Sequence, residues 1–120
     1  MKKSIAFFFS KGPYGNSITK EGLDILLSLS LTMKKISIFF IEDGIFQLLK
    51  SQKPEHVLLK NYVSAFKILP LYGVCDFFFC LKSAYERGFY NDKDFIVKGI
   101  FLKQKKINKK IRKFDIIFKW

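Results

Sequence analysis

Three short apolar runs limit what this chain can fold into: Ile5–Phe9, Ile36–Ile41 and Phe77-Phe78-Phe79-Cys80. None of them alternates apolar with polar, so each reads as a strand buried on both faces, as in covered parallel sheets. The intervening segments carry helical spacing. Ile18, Gly22, Ile25, Leu26, Leu29 and Met33 follow a 3–4 repeat, and Leu23, Leu27 and Leu31 widen the apolar face. This predicts a helix over about Ser17–Thr32. Further expected helices are Ile45–Lys50, Val57–Leu69, Ser83–Arg87 and the basic Lys103–Lys113, which turns Ile107, Ile111 and Phe114 inward. Strands are expected at Ser4–Phe9, Ile36–Ile41, Val74–Cys80, in Phe95–Leu102 around Ile96-Val97, and at Asp115–Phe118. The order β-α-β-α-α-β-α-β-α-β predicts an α/β fold: one three-layer domain over residues 1–120, with an open parallel sheet of about five strands and helices on both faces.

The longest stretch without a charge, Ile25 to Met33, is nine residues. A spanning helix needs about 20, so no membrane segment is expected. Ile5–Phe9 is too short for a secretory h-region and stops at Ser10-Lys11-Gly12-Pro13. A cytoplasmic location is the resulting expectation. Two cysteines, Cys75 and Cys80, make no disulfide framework. On one strand their odd separation would turn the side chains to opposite faces.

Lys and Arg number 22 against 10 Asp and Glu, a net charge of +12. Such an excess suggests nucleic acid, but Arg87 and Arg112 are the only arginines. Abundant Lys, Ile and Phe with scarce Ala and Arg is what AT-rich codons write over many folds. The densest charge is in Lys103–Lys113, with seven basic residues in eleven. It reads as a solvated helix face, or as a surface for RNA or an acidic partner, and no RNP-like pattern accompanies it.

In an open α/β sheet, reactive groups gather at the carboxyl ends of strands. Ser10–Asn16, Glu42–Gly44 and Cys80–Ser83 fall there. Gly12-Pro13-Tyr14-Gly15-Asn16 lacks the Gly-Lys-Ser/Thr of a P-loop and the three glycines of a dinucleotide fingerprint. Glu42 and Asp43 are neighbours that suit a turn. His56 is the only histidine, and one histidine makes no zinc site. No metal or cofactor is expected. Cys80 ends an apolar run before a short helix, where a helix N-terminus and apolar burial act oppositely on a thiol.

Ser4–Phe9, Pro13-Tyr14-Gly15, Lys20–Asp24, Phe39–Leu49, Gln52-Lys53-Pro54, Phe66–Leu69, Leu71-Tyr72, Glu86-Arg87-Gly88 and Phe114–Phe118 form an ordered set of segments. Together they resemble the TusC/DsrF family of sulfur-relay proteins, within the wider DsrE/DsrF/DsrH-like group. The match runs in order along nearly the whole chain, and Phe39–Leu49 is its most specific block. The resemblance implies a non-catalytic subunit of a TusBCD-type complex. TusB-like and TusD-like sisters would complete a heterotrimer that doubles into a hexamer. A TusE-like carrier would take persulfide sulfur onward to 2-thiolation of the wobble uridine of tRNA, with tRNA met only indirectly. In the family, the working cysteine lies on the TusD-type sister, in a Cys-x6-Arg-Gly context. Cys80 occupies the corresponding spot, with Arg87-Gly88 following, although Lys82 and Tyr85 replace small or aliphatic residues. No catalytic residue is therefore expected, and Cys80 is the one sulfur-handling candidate. Two alternatives remain: a sulfurtransferase acting through Cys80, and a flavodoxin-like small-molecule-binding or electron-transfer domain.

Overall fold

The computed structural model describes residues 3–10, 18–32, 35–48, 69–74, 76–89 and 99–119. Strand β1 (Ser4–Phe9) leads to helix α1 (Ile18–Leu29) and strand β2 (Lys35–Phe40). A 3-10 segment follows over Glu42–Leu48, and another over Leu69–Tyr72. Strand β3 (Asp76–Cys80) runs directly into helix α2 (Leu81–Glu86). Strand β4 (Ile100–Leu102), helix α3 (Gln104–Ile111) and strand β5 (Ile116–Lys119) complete the described elements. The five strands form one parallel sheet in the order β4-β3-β2-β1-β5.

Alternation along the strands divides the core into two layers. Ile5, Phe7 and Phe9 of β1 face one way, with Ile36, Ile38 and Phe40 of β2 and Phe77 and Phe79 of β3. Leu23 and Leu26 of α1 and Ala84 of α2 cover them. Ala6, Phe8, Phe39, Phe78 and Cys80 face the other way, under Ile107 of α3 with Ile111 and Phe114 packed alongside. Helices therefore lie on both faces, as the unalternating apolar runs require.

Parallel register turns the phenylalanines into two stacked rows. Phe8, Phe39 and Phe78 pair across β1, β2 and β3, with ring centroids 4.7 Å and 5.0 Å apart. On the opposite face Phe9, Phe40 and Phe79 do the same at 5.7 Å and 5.4 Å. Each such pair contributes roughly 0.5–1.5 kcal/mol beyond its buried area. At the amino ends, the Ser4 amide donates to Asp115 Oδ2 at 2.8 Å, and the Asp115 amide donates to Ser4 Oγ at 3.3 Å. These contacts tie the start of β5 to the start of β1.

Element boundaries differ from expectation in places with local causes. The segment after β2 begins at Glu42 rather than Ile45, because Glu42 takes φ 49° and turns the chain sharply off the strand. Helix α2 starts at Leu81 rather than Ser83, with Cys80 serving as both strand end and helix cap residue. The fourth strand lies at Ile100–Leu102. Its expected centre at Ile96-Val97 falls outside the described residues, as does the expected helix from Val57 up to residue 68. Among the described residues, no helix is long and apolar enough to cross a membrane.

Candidate functional site

Two of the three expected strand-end segments meet. Adjacent parallel strands β2 and β3 end side by side, so Glu42–Gly44 and Cys80–Ser83 lie against each other at the carboxyl edge of the sheet. Ser83 is buried, and its Oγ accepts the Glu42 amide at 2.9 Å. Arg87, one helical turn further, donates from Nε to Asp43 Oδ1 at 3.0 Å and from its guanidinium to the Ser83 carbonyl at 3.1 Å. The hydrogen bond satisfies a backbone donor at a left-handed residue; the ion pair fastens the same turn to α2. Gly44 tucks beneath β1: its amide donates to the Ile41 carbonyl at 2.8 Å, while Ile41 donates to the Phe9 carbonyl at 3.0 Å.

This arrangement leaves a cleft of about 280 Å³ whose lining includes Phe8, Ile41, Glu42, Cys80, Ser83 and Gln104. Lys82, Glu86 and Arg87 border it as well. The charges are largely matched: Lys82 lies 4.0 Å from Glu86, and Arg87 is 4.0 Å from Glu86 and 3.0 Å from Asp43. Cys80 is a free thiol with 4% of its surface exposed. It points to the α3 side of the sheet, where its Sγ donates weakly to Gln104 Oε1 at 3.9 Å. Gln104 is held in turn by its amide donating to Asn108 Oδ1 at 3.0 Å. The thiol is thus packed into the core and engaged by a neutral amide. Among the described residues, no group of three or more His, Cys, Asp or Glu is placed to hold a metal ion.

The Cys80 and Glu42-Asp43-Gly44 segments are brought together. Cys75, His56 and the loop from residue 11 to Asn16 lie outside the described residues. Gln104 has no signal in the sequence: it sits 24 residues beyond Cys80, and only the return of α3 across β4 and β3 sets it there.

Comparison with known proteins agrees with this geometry. A family model described as the DsrE/DsrF-like family matches residues 3–120. A curated protein named Protein TusC, from Buchnera aphidicola subsp. Baizongia pistaciae (strain Bp), is 52% identical over 115 residues, covering 96% of this chain and 97% of that protein. Another Protein TusC, from Buchnera aphidicola subsp. Acyrthosiphon pisum (strain 5A), is 46% identical over the same length and coverage. Among solved structures, the ychN protein from E. coli matches with a TM-score of 0.75 at 18% identity, covering 100% of both chains. That last likeness concerns the fold. With a five-stranded parallel sheet of this topology and a family match spanning almost every residue, the chain belongs to the DsrE/DsrF-like family.

Proposed function

We propose that this protein is a non-catalytic subunit of a TusBCD-type sulfur-relay complex. The observation that carries the proposal is its 52% identity, over nearly the full length of both chains, to a protein named TusC. Family membership and this relative support a sulfur-relay subunit. The finer reading places a single domain of residues 1–120 in the cytoplasm with TusB-like and TusD-like sisters, as a heterotrimer doubled into a hexamer. A TusE-like carrier would engage the complex, and the sulfur would end as the 2-thio group of the wobble uridine of tRNA.

Sulfur transfer of this kind is thiolate attack on the terminal sulfur of a persulfide. The donor S–S bond breaks, a new one forms on the acceptor, and the donor leaves as a thiolate. An attacking thiol must be reachable. Cys80 is 4% exposed and packed among Phe78, Leu102 and Ile107. This burial favours a structural role for Cys80, with the reacting cysteine on the TusD-like sister.

Co-expression with both sisters, followed by size-exclusion chromatography with light scattering, tests the assembly. Co-purification as a heterohexamer is expected, and a solitary monomer in every condition overturns the proposal. In the assembled complex, Cys80→Ser should leave sulfur delivery within about twofold of the unmodified complex. Loss of delivery would instead make this chain a sulfurtransferase through Cys80.

A further inference from the structure

Helix α3 and its flanks carry Lys103, Lys105, Lys106, Lys109, Lys110, Arg112 and Lys113, seven of the 22 basic residues of the chain, and no acidic residue. Only Ile107 of the helix is fully buried. At about 100° per residue, Lys105, Lys106, Lys109, Arg112 and Lys113 cover roughly a third of the circumference opposite Ile107, and Lys103 and Lys110 border the inward stripe. None of the ion pairs among the described residues involves any of them. Lys110 lies over the Phe78 ring at 4.9 Å; Lys103, Lys105, Lys106 and Lys109 are exposed.

The isolated fold gains only at the carboxyl end, where Lys109 and Lys110 suit the helix dipole and Lys110 covers Phe78; the rest of the arrangement works against it. Lys105 and Lys109, and Lys106 and Lys110, stand four residues apart, where like charges destabilise a helix. Lys103, Lys105 and Lys106 sit at the amino end, where the helix dipole disfavours cations. Codon bias explains Lys in place of Arg, but it does not remove acidic residues from one helix.

We infer that the Lys103–Lys113 face docks the phosphate backbone of RNA. Exposed lysines gain little from carboxylates on a protein surface, since such pairs remain hydrated and screened. Against a polyanion they gain from release of condensed counterions, a term that grows with every phosphate neutralised. Lys binds phosphate as a point charge, and Arg112 adds a planar fork that suits it as well. Recognition is of backbone rather than bases, because no stacking aromatic lies within the exposed arc. Phosphate docking rests on the helix; the choice of RNA rests on the sulfur-relay reading, whose product is a modified tRNA. Direct contact replaces the expectation that tRNA is met only indirectly.

The test is fluorescence-anisotropy titration of labelled bulk tRNA with the full chain across 50–300 mM salt. The expected log–log salt slope falls by about 0.7–0.9 for each phosphate contact removed. Lys105→Gln/Lys106→Gln/Lys109→Gln keeps helix propensity. It should weaken binding at 100 mM salt by about tenfold to hundredfold and flatten the slope by about 2. Lys3→Gln/Lys35→Gln/Lys119→Gln, three exposed lysines off the helix and of equal net charge, should change affinity less than threefold. Absent binding at 50 mM salt, or equal loss in both triple variants, overturns the inference. Tighter binding to polyglutamate than to tRNA, lost in the helix variant, overturns it in favour of an acidic protein. Failure of RNA binding would leave co-assembly with the sisters untouched. A chain that binds RNA through the helix but never co-assembles would sink the sulfur-relay reading instead.

Discussion

Position 44 carries no side chain because there is no room for one. A Cβ there would run into the backbone carbonyl of Phe9, and a strand backbone cannot swing aside. Gly73 differs: it takes φ 84° with open space around its missing Cβ. Gly44→Ala should therefore destabilise by about 3 kcal/mol or more, the upper range of overpacking. Gly73→Ala should cost only the left-handed backbone penalty, about 1–2 kcal/mol. Urea denaturation of both variants checks the contrast. Equal midpoints would mean that the 42–48 turn does not approach β1 so closely. In the sequence, Glu42-Asp43-Gly44 reads as a turn, yet nothing local distinguishes a glycine needed for φ from one needed for clearance.

Between elements, the junction of α2 with the turn after β2 depends on two contacts of different worth. Ser83 is 8% exposed and satisfies the Glu42 amide, whereas the Asp43 partner of Arg87 is 63% exposed. Leaving this part-buried donor without its partner costs about 1 kcal/mol, the low end of the range for a buried one. An exposed ion pair is worth about 0–1 kcal/mol and fades with salt. Ser83→Ala should accordingly destabilise more than Asp43→Ala, and only the Asp43→Ala effect should shrink in 0.5 M NaCl. Thermal unfolding of the two variants at low and high salt measures this. A larger loss in Asp43→Ala would reverse the ranking. Each partner is visible in the sequence as a residue type at a strand end. Their pairing is not, because the separation of Glu42 and Ser83 along the chain says nothing of which strands are neighbours.

Across the whole molecule, a net charge of +12 on 120 residues acts against compaction. Self-repulsion is greater in the folded chain than in the expanded unfolded one, and salt screens it. Raising NaCl from 20 to 300 mM should therefore raise Tm, by about 2–5 °C for a domain of this size. Circular dichroism melts give the answer; an unchanged or lower Tm would mean that local ion pairs outweigh the global field. Holding the fold against this repulsion are two phenylalanine rows, one on each face of the sheet, crossing β1, β2 and β3. The abundance of Phe, which composition alone attributes to codon bias, is thus concentrated where parallel register stacks it.

Most elements were legible in the sequence because each depends on a local pattern. Unbroken apolar runs declare strands covered on both faces, and a 3–4 repeat declares α1. The weak case was β4, a three-residue edge strand with one hydrogen-bonded neighbour and an exposed Ile100, so burial leaves little imprint on its residues. The sequence by itself determined the fold class, the family and the cysteine worth weighing. Only the tertiary structure decided the strand order β4-β3-β2-β1-β5, the meeting of Glu42 with Ser83, and the Gln104 amide beside Cys80. The physical reason is that periodicity encodes which way a side chain faces. Which distant side chain it meets depends on the order and register in which the strands assemble.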